Sequence, residues 1–259
     1  MRDAIQRIPG LILQLFRWLS ERSRGTWVLV IVLVAAAGLV ALLVNGAGEI
    51  LESIGDEEGI ALWDRPVLDW AIGLRNPTLT AAMLWFTDTG GPIWQPIILA
   101  VVSLVLWWRW RDPTPVVLVL VVQVVAILTS LTAKNVIGRA RPPQMDAVPP
   151  YETSPSFPSG HTLQAFAAAG IVCYLLIRHL WDRPAWQRVL IALFGLFYAS
   201  VMAFSRVYLG YHWLTDVLAA AVLGLAWVAI VVACHRVWRT IRQRRADGPI
   251  EEEQARPAD

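Results

Sequence analysis

Three short polar blocks interrupt an otherwise apolar chain, and their side chains are of the types that handle phosphate. The blocks are Lys134 with Arg141 and Pro142, then Pro158-Ser159-Gly160-His161, then Ser205-Arg206 with His212 and Asp216. Lys134 is the only lysine among 22 lysine and arginine residues, which marks its position as unusual. Three cations, two histidines and a carboxylate are sufficient to move a phosphoryl group without a metal.

The residue types in the last two blocks predict distinct roles. Ser159 can cap a helix that starts beside it, and Gly160 lets backbone N–H groups approach an anion at that helix terminus. His161 would then lie on the first turn, within reach of a leaving-group oxygen. His212 and Asp216 are four residues apart, so the carboxylate can orient the imidazole and turn its other nitrogen outward as a nucleophile.

The three cations of the blocks complete the predicted site. Lys134, Arg141 and Arg206 are expected to neutralise the phosphoryl oxygens as charge spreads in the transition state. No metal and no cofactor is expected, because no carboxylate cluster accompanies these residues to hold an ion. Arg139, two residues before Arg141, is expected to contact a loop or a headgroup, with a second phosphate as the alternative.

Composition indicates that these blocks belong to a membrane protein. Hydrophobic residues make up 56% of the chain and charged residues 16%, with a mean hydropathy of +0.52, a combination that is rare in soluble domains. Apolar runs near the length that crosses a bilayer, about 20 residues, predict an all-α polytopic membrane protein with six transmembrane helices in a bundle. The predicted spans are 27–44, 92–108, 116–133, 162–178, 189–204 and 213–234. The second is the weakest, since it contains Gln95 and Pro96 and could share its crossing with 79–90.

The arginines predict the orientation in the membrane. With the N-terminus inside, the cytoplasmic segments collect most of them, at Arg2 to Arg24, Arg109 and Arg111, Arg178 to Arg188, and Arg236 to Arg245. Both termini are then cytoplasmic. The expected location of the protein is the plasma or inner membrane of the cell.

The arginine distribution and the apolar runs together predict three segments. These are a basic leader at 1–25, either amphipathic or frayed, a six-helix domain at 26–238, and a cytoplasmic tail at 239–259. The six-helix domain includes an acidic extracytoplasmic segment at about 47–78, expected to form two short surface helices. The tail is expected to be disordered from Asp247 onward.

This topology brings all three blocks to the outer face. The first block leaves the third span, the second opens the fourth, and the third joins the fifth to the sixth. Unpaired cations near hydrocarbon cost free energy, so cations at three separate places on the outer side are better explained by one shared anionic ligand. The predicted active site is therefore extracytoplasmic.

At these blocks the chain resembles the type 2 phosphatidic acid phosphatase superfamily, lipid phosphate phosphatases that share a site with vanadium haloperoxidases. The matching segments are KNVIGRARP at 134–142, PSGH at 158–161 and SRVYLGYHWLTD at 205–216. Three motifs in order are specific, whereas PSGH alone would be weak. The resemblance implies a helical bundle and metal-independent hydrolysis of a phosphomonoester or diphosphate. It also implies a phosphohistidine on His212, with His161 as general acid and then as base.

The expected substrate is an amphiphile whose phosphate lies at headgroup level, because the site opens among helices at the outer interface. A polyprenyl diphosphate such as undecaprenyl diphosphate is the first choice, followed by broad action on lipid phosphates such as phosphatidic acid or phosphatidylglycerol phosphate. A lipid phosphotransferase using the same site is one alternative, and a noncatalytic membrane transporter is another. The expected partners are the lipid substrate and the bilayer, with no nucleic acid; the oligomeric state is left open.

Overall fold

A computed structural model describes residues 24–254, with the side chains of residue 34 and of residues 36–243. Between residues 24 and 254 no strand occurs, so the predicted all-α class is confirmed. The helices are α1 (Arg24–Asp56), α2 (Asp64–Gly73), α3 (Pro77–Asp88), α4 (Trp94–Trp110), α5 (Thr114–Ile137), α6 (Gly160–His179), α7 (Ala185–Tyr208) and α8 (Leu214–Gln254). Short 3-10 helices lie at Gly59–Trp63 and Gln144–Asp146.

Within the described residues, five helices are long and apolar enough to cross a membrane. These are Ala36–Asp56 of α1, the whole of α5, α6 and α7, and Leu214–Gln243 of α8. α4 lies where the second span was predicted, but it has only 17 residues, slightly fewer than the roughly 20 that a bilayer needs. The protein is therefore a multi-pass membrane protein, and the predicted count of six spans is approximate.

The stretch 79–90 is not continuous with α4. Most of it belongs to α3, a separate helix with a proline in its first turn. The side chain of Asn76 caps α3 by accepting a hydrogen bond from Leu79 N at 2.9 Å. A glycine-containing turn then separates α3 from α4.

The first and last helices differ from the sequence prediction. α1 continues to Asp56, so Glu49 and Glu52 are helical residues of α1 and not part of a separate surface helix. α8 continues to Gln254, so the prediction of disorder is wrong for residues 247–254. The arginines and glutamine that follow the apolar run of α8 have high helix propensity, so the helix continues through them. The predicted leader lies outside the described residues except for its last two residues.

Residues 39–232 form one compact unit, and α6 contributes more buried residues to its core than any other helix. Leu163, Ala167 and Ile171 lie one helical turn apart and pack against α5 and α8. Gly224 lets α8 approach α6 closely, because a Cβ there would lie 2.8 Å from the Leu163 carbonyl oxygen. The chain up to Gly38 and the chain from Ala233 form a separate unit, of which the structure describes the two helical ends.

Helix order brings the three polar blocks to one end of the larger unit. Lys134 lies in the last turn of α5, and Gly160 is the first residue of α6. Arg206 lies in the last turn of α7, and Asp216 lies in the first turn of α8. The hydrogen bonds among these helix ends, and with the loops beside them, define the site.

Candidate active site

His212 lies in the tight turn between α7 and α8, where it is only 1% exposed. Tyr211 N and His212 N both donate to the Arg206 carbonyl oxygen, at 3.0 and 3.2 Å. Gly210 has a φ of +76°, and a Cβ at this position would collide with the backbone of Asp146. Glycine is therefore required for the turn that presents the histidine.

The two ring nitrogens of His212 have different partners. Nδ1 lies 3.3 Å from Asp216 Oδ2, the oxygen that also accepts a hydrogen bond from Trp213 N at 3.0 Å. Nε2 lies 3.2 Å from Arg141 Nη1, a nitrogen that can only donate a hydrogen bond. This pattern assigns the ring proton to Nδ1 and the lone pair to Nε2. Burial and the charges of Arg206 and Arg141 lower the pKa of His212 well below its usual value, so the ring is neutral.

Arg206 is the most deeply buried cation of the site, at 1% exposure. Its Nη1 donates to Thr87 Oγ1 at 2.8 Å, its Nη2 pairs with Glu152 Oε1, and its guanidinium lies 4.5 Å from the centre of the Tyr211 ring. Its Nε has no hydrogen-bond partner among the residues that the structure describes. A buried donor without a partner is uncommon and indicates a position for a ligand atom.

Arg141 and Lys134 are held by the loop that precedes α6. Arg141 donates from Nε to the Ser154 carbonyl at 2.6 Å, and from Nη1 to the Tyr211 carbonyl at 2.6 Å. Lys134 Nζ donates to the Pro155 carbonyl and lies 3.4 Å from Ser154 Oγ. Both cations are half-buried, and both are bonded to the same loop.

Glu152 lies between the two arginines, a position that the motifs did not predict. Its carboxylate pairs with Arg141 Nη2 at 2.7 Å and with Arg206 Nη2. Burial would raise the pKa of Glu152, but the charges of Arg206 and Arg141 lower it to about 2. The carboxylate is therefore an anion that occupies donors suited to phosphoryl oxygens. The only sequence signal was an acidic residue six positions before PSGH.

The PSGH block forms the start of α6 as predicted. Ser159 is the N-cap, and its hydroxyl accepts hydrogen bonds from Thr162 N at 3.5 Å and Thr162 Oγ1 at 3.0 Å. The His161 ring faces Gly90 and Gly91, where added Cβ atoms would lie 3.6 and 3.7 Å from it. At Gly90 there is no room for a side chain, because an added Cβ would lie 2.6 Å from Met202 Cε.

An apolar pocket of about 480 Å³ lies among α4, α6 and α7. Thr89 lines it, next in sequence to the glycines that face His161, and Val172 and Leu176 of α6 also line it. Gln95 also lines the pocket and is 3% exposed, and neither polar atom of its amide has a partner among the described residues. The pocket thus combines apolar walls with one amide that is available to a ligand.

Arg139 is not where the sequence placed it. Its Nη1 pairs with Asp216 Oδ1 at 2.5 Å and its Nη2 pairs with Asp64 Oδ2 at 2.6 Å. The side chain is 15% exposed and bound between two buried carboxylates, so the expectation of a loop, headgroup or second-phosphate contact is wrong. Asp64 comes from the start of α2, and no spacing in the sequence connects it to Arg139.

The arrangement combines an unprotonated imidazole nitrogen, a cluster of cations and a second histidine at a helix N-terminus. In the part of the chain that the structure describes, no three His, Cys, Asp or Glu side chains are grouped so that they could hold a metal ion. These groups together suit transfer of a phosphoryl group to a histidine.

Sequence comparison identifies the family. The profile of the PAP2 superfamily matches residues 114–240, which include all three blocks. The chain is 28% identical over 181 residues to phosphatidylglycerophosphatase B of Bacillus subtilis, covering 70% of this chain and 87% of that protein. It is 30% identical over 159 residues to an undecaprenyl-diphosphatase of Sulfolobus acidocaldarius, covering 60% of this chain and 69% of that protein.

Solved structures agree with the sequence comparison. The crystal structure of a transmembrane PAP2-type phosphatidylglycerolphosphate phosphatase from Bacillus subtilis matches with a TM-score of 0.69 and 25% identity, over 76% of this chain and 96% of that one. Aquifex aeolicus LpxE shares the fold, with a TM-score of 0.50 and 19% identity over 65% of this chain and 94% of that one. With its motifs inside the family profile and a 30% identical relative, the chain belongs to the PAP2 superfamily.

Proposed function

We propose that the protein is a metal-independent membrane phosphatase that hydrolyses lipid phosphates through a phosphohistidine on His212. The observation that carries this proposal is the pairing of the ring, with Nδ1 at Asp216 and Nε2 turned toward Arg141. A neutral imidazole with its lone pair directed at a cation cluster is prepared to attack phosphorus bound to those cations.

The phosphoryl group would take the place of the Glu152 carboxylate. Both are anions that accept from the same donors, and Arg141 and Arg206 already bind the carboxylate there. Arg206 Nε offers a further buried donor, and Lys134 adds a third cation beside the same loop. The N-terminus of α6, with Gly160 as its first residue, favours negative charge at the same place.

The reaction then has two steps. His212 Nε2 attacks phosphorus, the bond to the leaving oxygen breaks, and His161 donates a proton to that oxygen as the lipid product departs. Asp216 stabilises the positive charge that develops on the His212 ring. In the second step His161 takes a proton from a water molecule, which attacks the phosphohistidine and releases orthophosphate and free His212.

The substrate class we propose is an amphiphile with a terminal phosphate or diphosphate. The support is the apolar pocket lined by Thr89, the residue before the two glycines that face His161, because this pocket offers a lipid chain an apolar environment. The two sequence relatives are named for phosphatidylglycerol phosphate and undecaprenyl diphosphate, and both compounds belong to this class. Phosphatidylglycerol phosphate and polyprenyl diphosphates are accordingly the first substrates to test.

We further propose that the site faces the extracytoplasmic side of the cell membrane, with both termini in the cytoplasm. The support is the distribution of arginine between the loops. Arg109 and Arg111 lie at the α4–α5 connection and Arg178 and Arg183 at the α6–α7 connection, whereas the site is formed at the other ends of α5, α6 and α7.

Phosphate release by purified protein in detergent tests the proposed chemistry. Lipid phosphates and diphosphates should release orthophosphate in excess chelator and without an added alcohol, which also excludes an obligatory phosphotransferase. His212→Ala should lose activity by several orders of magnitude, and Asp216→Asn by less. Substrate labelled in the terminal phosphate should leave label on His212. Label on another residue, or activity that returns only with magnesium, contradicts the proposal.

A block in the pocket tests the substrate class. Val172→Phe should fill the pocket and lower kcat/KM for a long-chain lipid phosphate by about tenfold or more, while hydrolysis of the soluble p-nitrophenyl phosphate is unchanged. Val121→Phe, at a 43% exposed position of α5, is the matched control. Equal rates for Val172→Phe and the wild type on the long-chain substrate would exclude the pocket as the chain site.

A further inference from the structure

A second ion pair lies behind the His212–Asp216 pair and has no part in the steps above. Arg139 donates to Asp216 Oδ1 at 2.5 Å, while Asp216 Oδ2 faces His212. The other side of the same guanidinium donates to Asp64 Oδ2 at 2.6 Å. The four side chains therefore form a continuous row from α2 to the imidazole.

Thr215 fastens this row to the start of α8. Its backbone N donates to Asp64 Oδ1 at 2.8 Å, and its hydroxyl lies 3.0 and 2.8 Å from the two oxygens of Asp64. The same hydroxyl accepts from Arg139 Nη1 at 2.8 Å. Asp64 is 6% exposed, and Thr215 and Asp216 are fully buried. Asp64 thus caps the helix that carries Asp216, although it is 152 positions away in the sequence.

We infer that Asp64 is a positioning residue for the nucleophile, acting through Arg139 and Thr215 on the orientation and effective charge of Asp216. The inference rests on the proposed role of His212. Arg139 binds one carboxylate oxygen of Asp216 and so leaves the other free to hold the ring. Without that bond the carboxylate could rotate about χ2, its last torsion angle, whose distribution is broad for aspartate.

Charge gives Asp64 a second effect. A lone guanidinium 2.5 Å from Asp216 would offset the negative charge that the ring needs as it becomes positive during attack. Asp64 offsets the guanidinium in turn, so that two carboxylates and one arginine keep a net negative charge behind His212. Buried charges interact strongly because little water screens them.

The variant Asp64→Asn tests this inference because it keeps the side-chain shape and removes the charge. We expect kcat to fall about 10- to 100-fold, as happens when outer partners of metal ligands are removed. KM should change little, since Lys134, Arg141 and Arg206 are untouched. Asp69→Asn is the matched control on the same helix, because Asp69 pairs with the exposed Arg65, and it should retain wild-type kcat.

A double-mutant cycle separates positioning from general damage. In an Asp216→Asn background, Asp64→Asn should cost less than about twofold, because its path to the ring is already broken. An equal loss in both backgrounds, a loss confined to KM, or a fall in melting temperature that explains the lost activity would overturn the inference.

A second variant keeps the test valid if Asp64→Asn does not fold. Arg139→Lys retains the charge but cannot bridge both carboxylates, so it should also lower kcat only when Asp216 is intact. The same loss in the Asp216→Asn background would overturn the inference. Wild-type phosphate release and its loss in His212→Ala test the proposed function, so failure of the Asp64 inference is distinguishable from failure of the function.

Discussion

His212 is surrounded by cations that keep its ring neutral. Burial, Arg206 and Arg141 lower its pKa, and Lys134 acts in the same direction, while Glu152 opposes them. Since only the neutral ring can attack phosphorus, the acidic limb of the kcat/KM profile should lie below pH 6.5, the ordinary histidine pKa. The measurement is a kcat/KM profile corrected for substrate ionisation, whose second pKa is about 6. An acidic limb with a pKa above 6.5 that belongs to the enzyme would contradict this view of His212.

His161 should matter according to how much help the leaving group needs. An alkoxide leaves poorly unless it is protonated, whereas p-nitrophenolate needs little protonation. His161→Ala should therefore lower kcat for a lipid phosphate by about 10²- to 10⁴-fold and lower it clearly less for p-nitrophenyl phosphate. The measurement is kcat for both substrates under conditions where chemistry limits the rate. Equal losses would show that His161 only binds phosphate.

Glu152 should compete with the substrate phosphate for Arg141 and Arg206. Glu152→Gln removes the competing charge, so vanadate and orthophosphate should inhibit at several-fold lower concentration, and KM should fall. Thr153→Ala, the exposed neighbour, is the control. Inhibition constants of vanadate and orthophosphate, measured for both variants at fixed pH, test whether Glu152 competes with phosphate. If both constants rise in Glu152→Gln, the carboxylate organises the arginines and does not compete with phosphate.

The motifs predicted which of their own residues meet at one end of the larger unit. They did not predict the partners that come from outside the motifs. Lys134, Arg141, Arg206 and His212 meet as their spacing indicated, because each lies at a helix end or in the adjoining turn or loop. The buried pair of Asp64 with Arg139 is separated by 75 residues in sequence, and no periodicity encodes that contact. Glu152 lies in a loop without regular structure, so its direction follows only from the folded chain.

Apolar runs located the helices but not their ends. α5 to α7 match the predicted spans within a few residues at most boundaries, because hydrocarbon length limits each run. α1 and α8 extend past their apolar runs, since adding a residue to a formed helix costs much less free energy than starting a new one. α4 is short, and its start follows the turn after α3.

The close crossing of α6 and α8 should be needed for activity as well as stability. At Gly224, an added Cβ would lie 2.8 Å from the Leu163 carbonyl oxygen and 2.9 Å from Phe166 Cβ, so the two helices must separate. α6 carries His161 and α8 carries Asp216, and Gly224→Ala should therefore lower both melting temperature and kcat. Gly46→Ala in α1 is the control, because no atom lies within 4 Å of a Cβ there and alanine favours helix. An unchanged melting temperature and kcat in Gly224→Ala would show that the helices can adjust without cost.

Over the whole molecule, the arginines of the interhelical connections and the cations of the site lie at opposite ends of α5, α6 and α7. Arginines at one set of ends lie in connections such as Arg109–Arg111, while those at the other set are bound inside the site. Since clusters of arginine in short loops are retained in the cytoplasm, the site should open to the opposite side. A product phosphate would then be released outside the cell, next to lipids of the outer leaflet.

Sealed vesicles test this sidedness. Right-side-out vesicles should hydrolyse external p-nitrophenyl phosphate without detergent, whereas inverted vesicles should show most of their activity only after detergent opens them. A C-terminal epitope tag, which external protease should remove only from inverted vesicles, reports the orientation independently. Because the tag reports the C-terminus and the assay reports the site, the two results together decide whether the site and the C-terminus lie on opposite sides of the membrane. Activity that is latent in right-side-out vesicles and open in inverted ones would place the site in the cytoplasm and remove the outer-leaflet substrates from consideration.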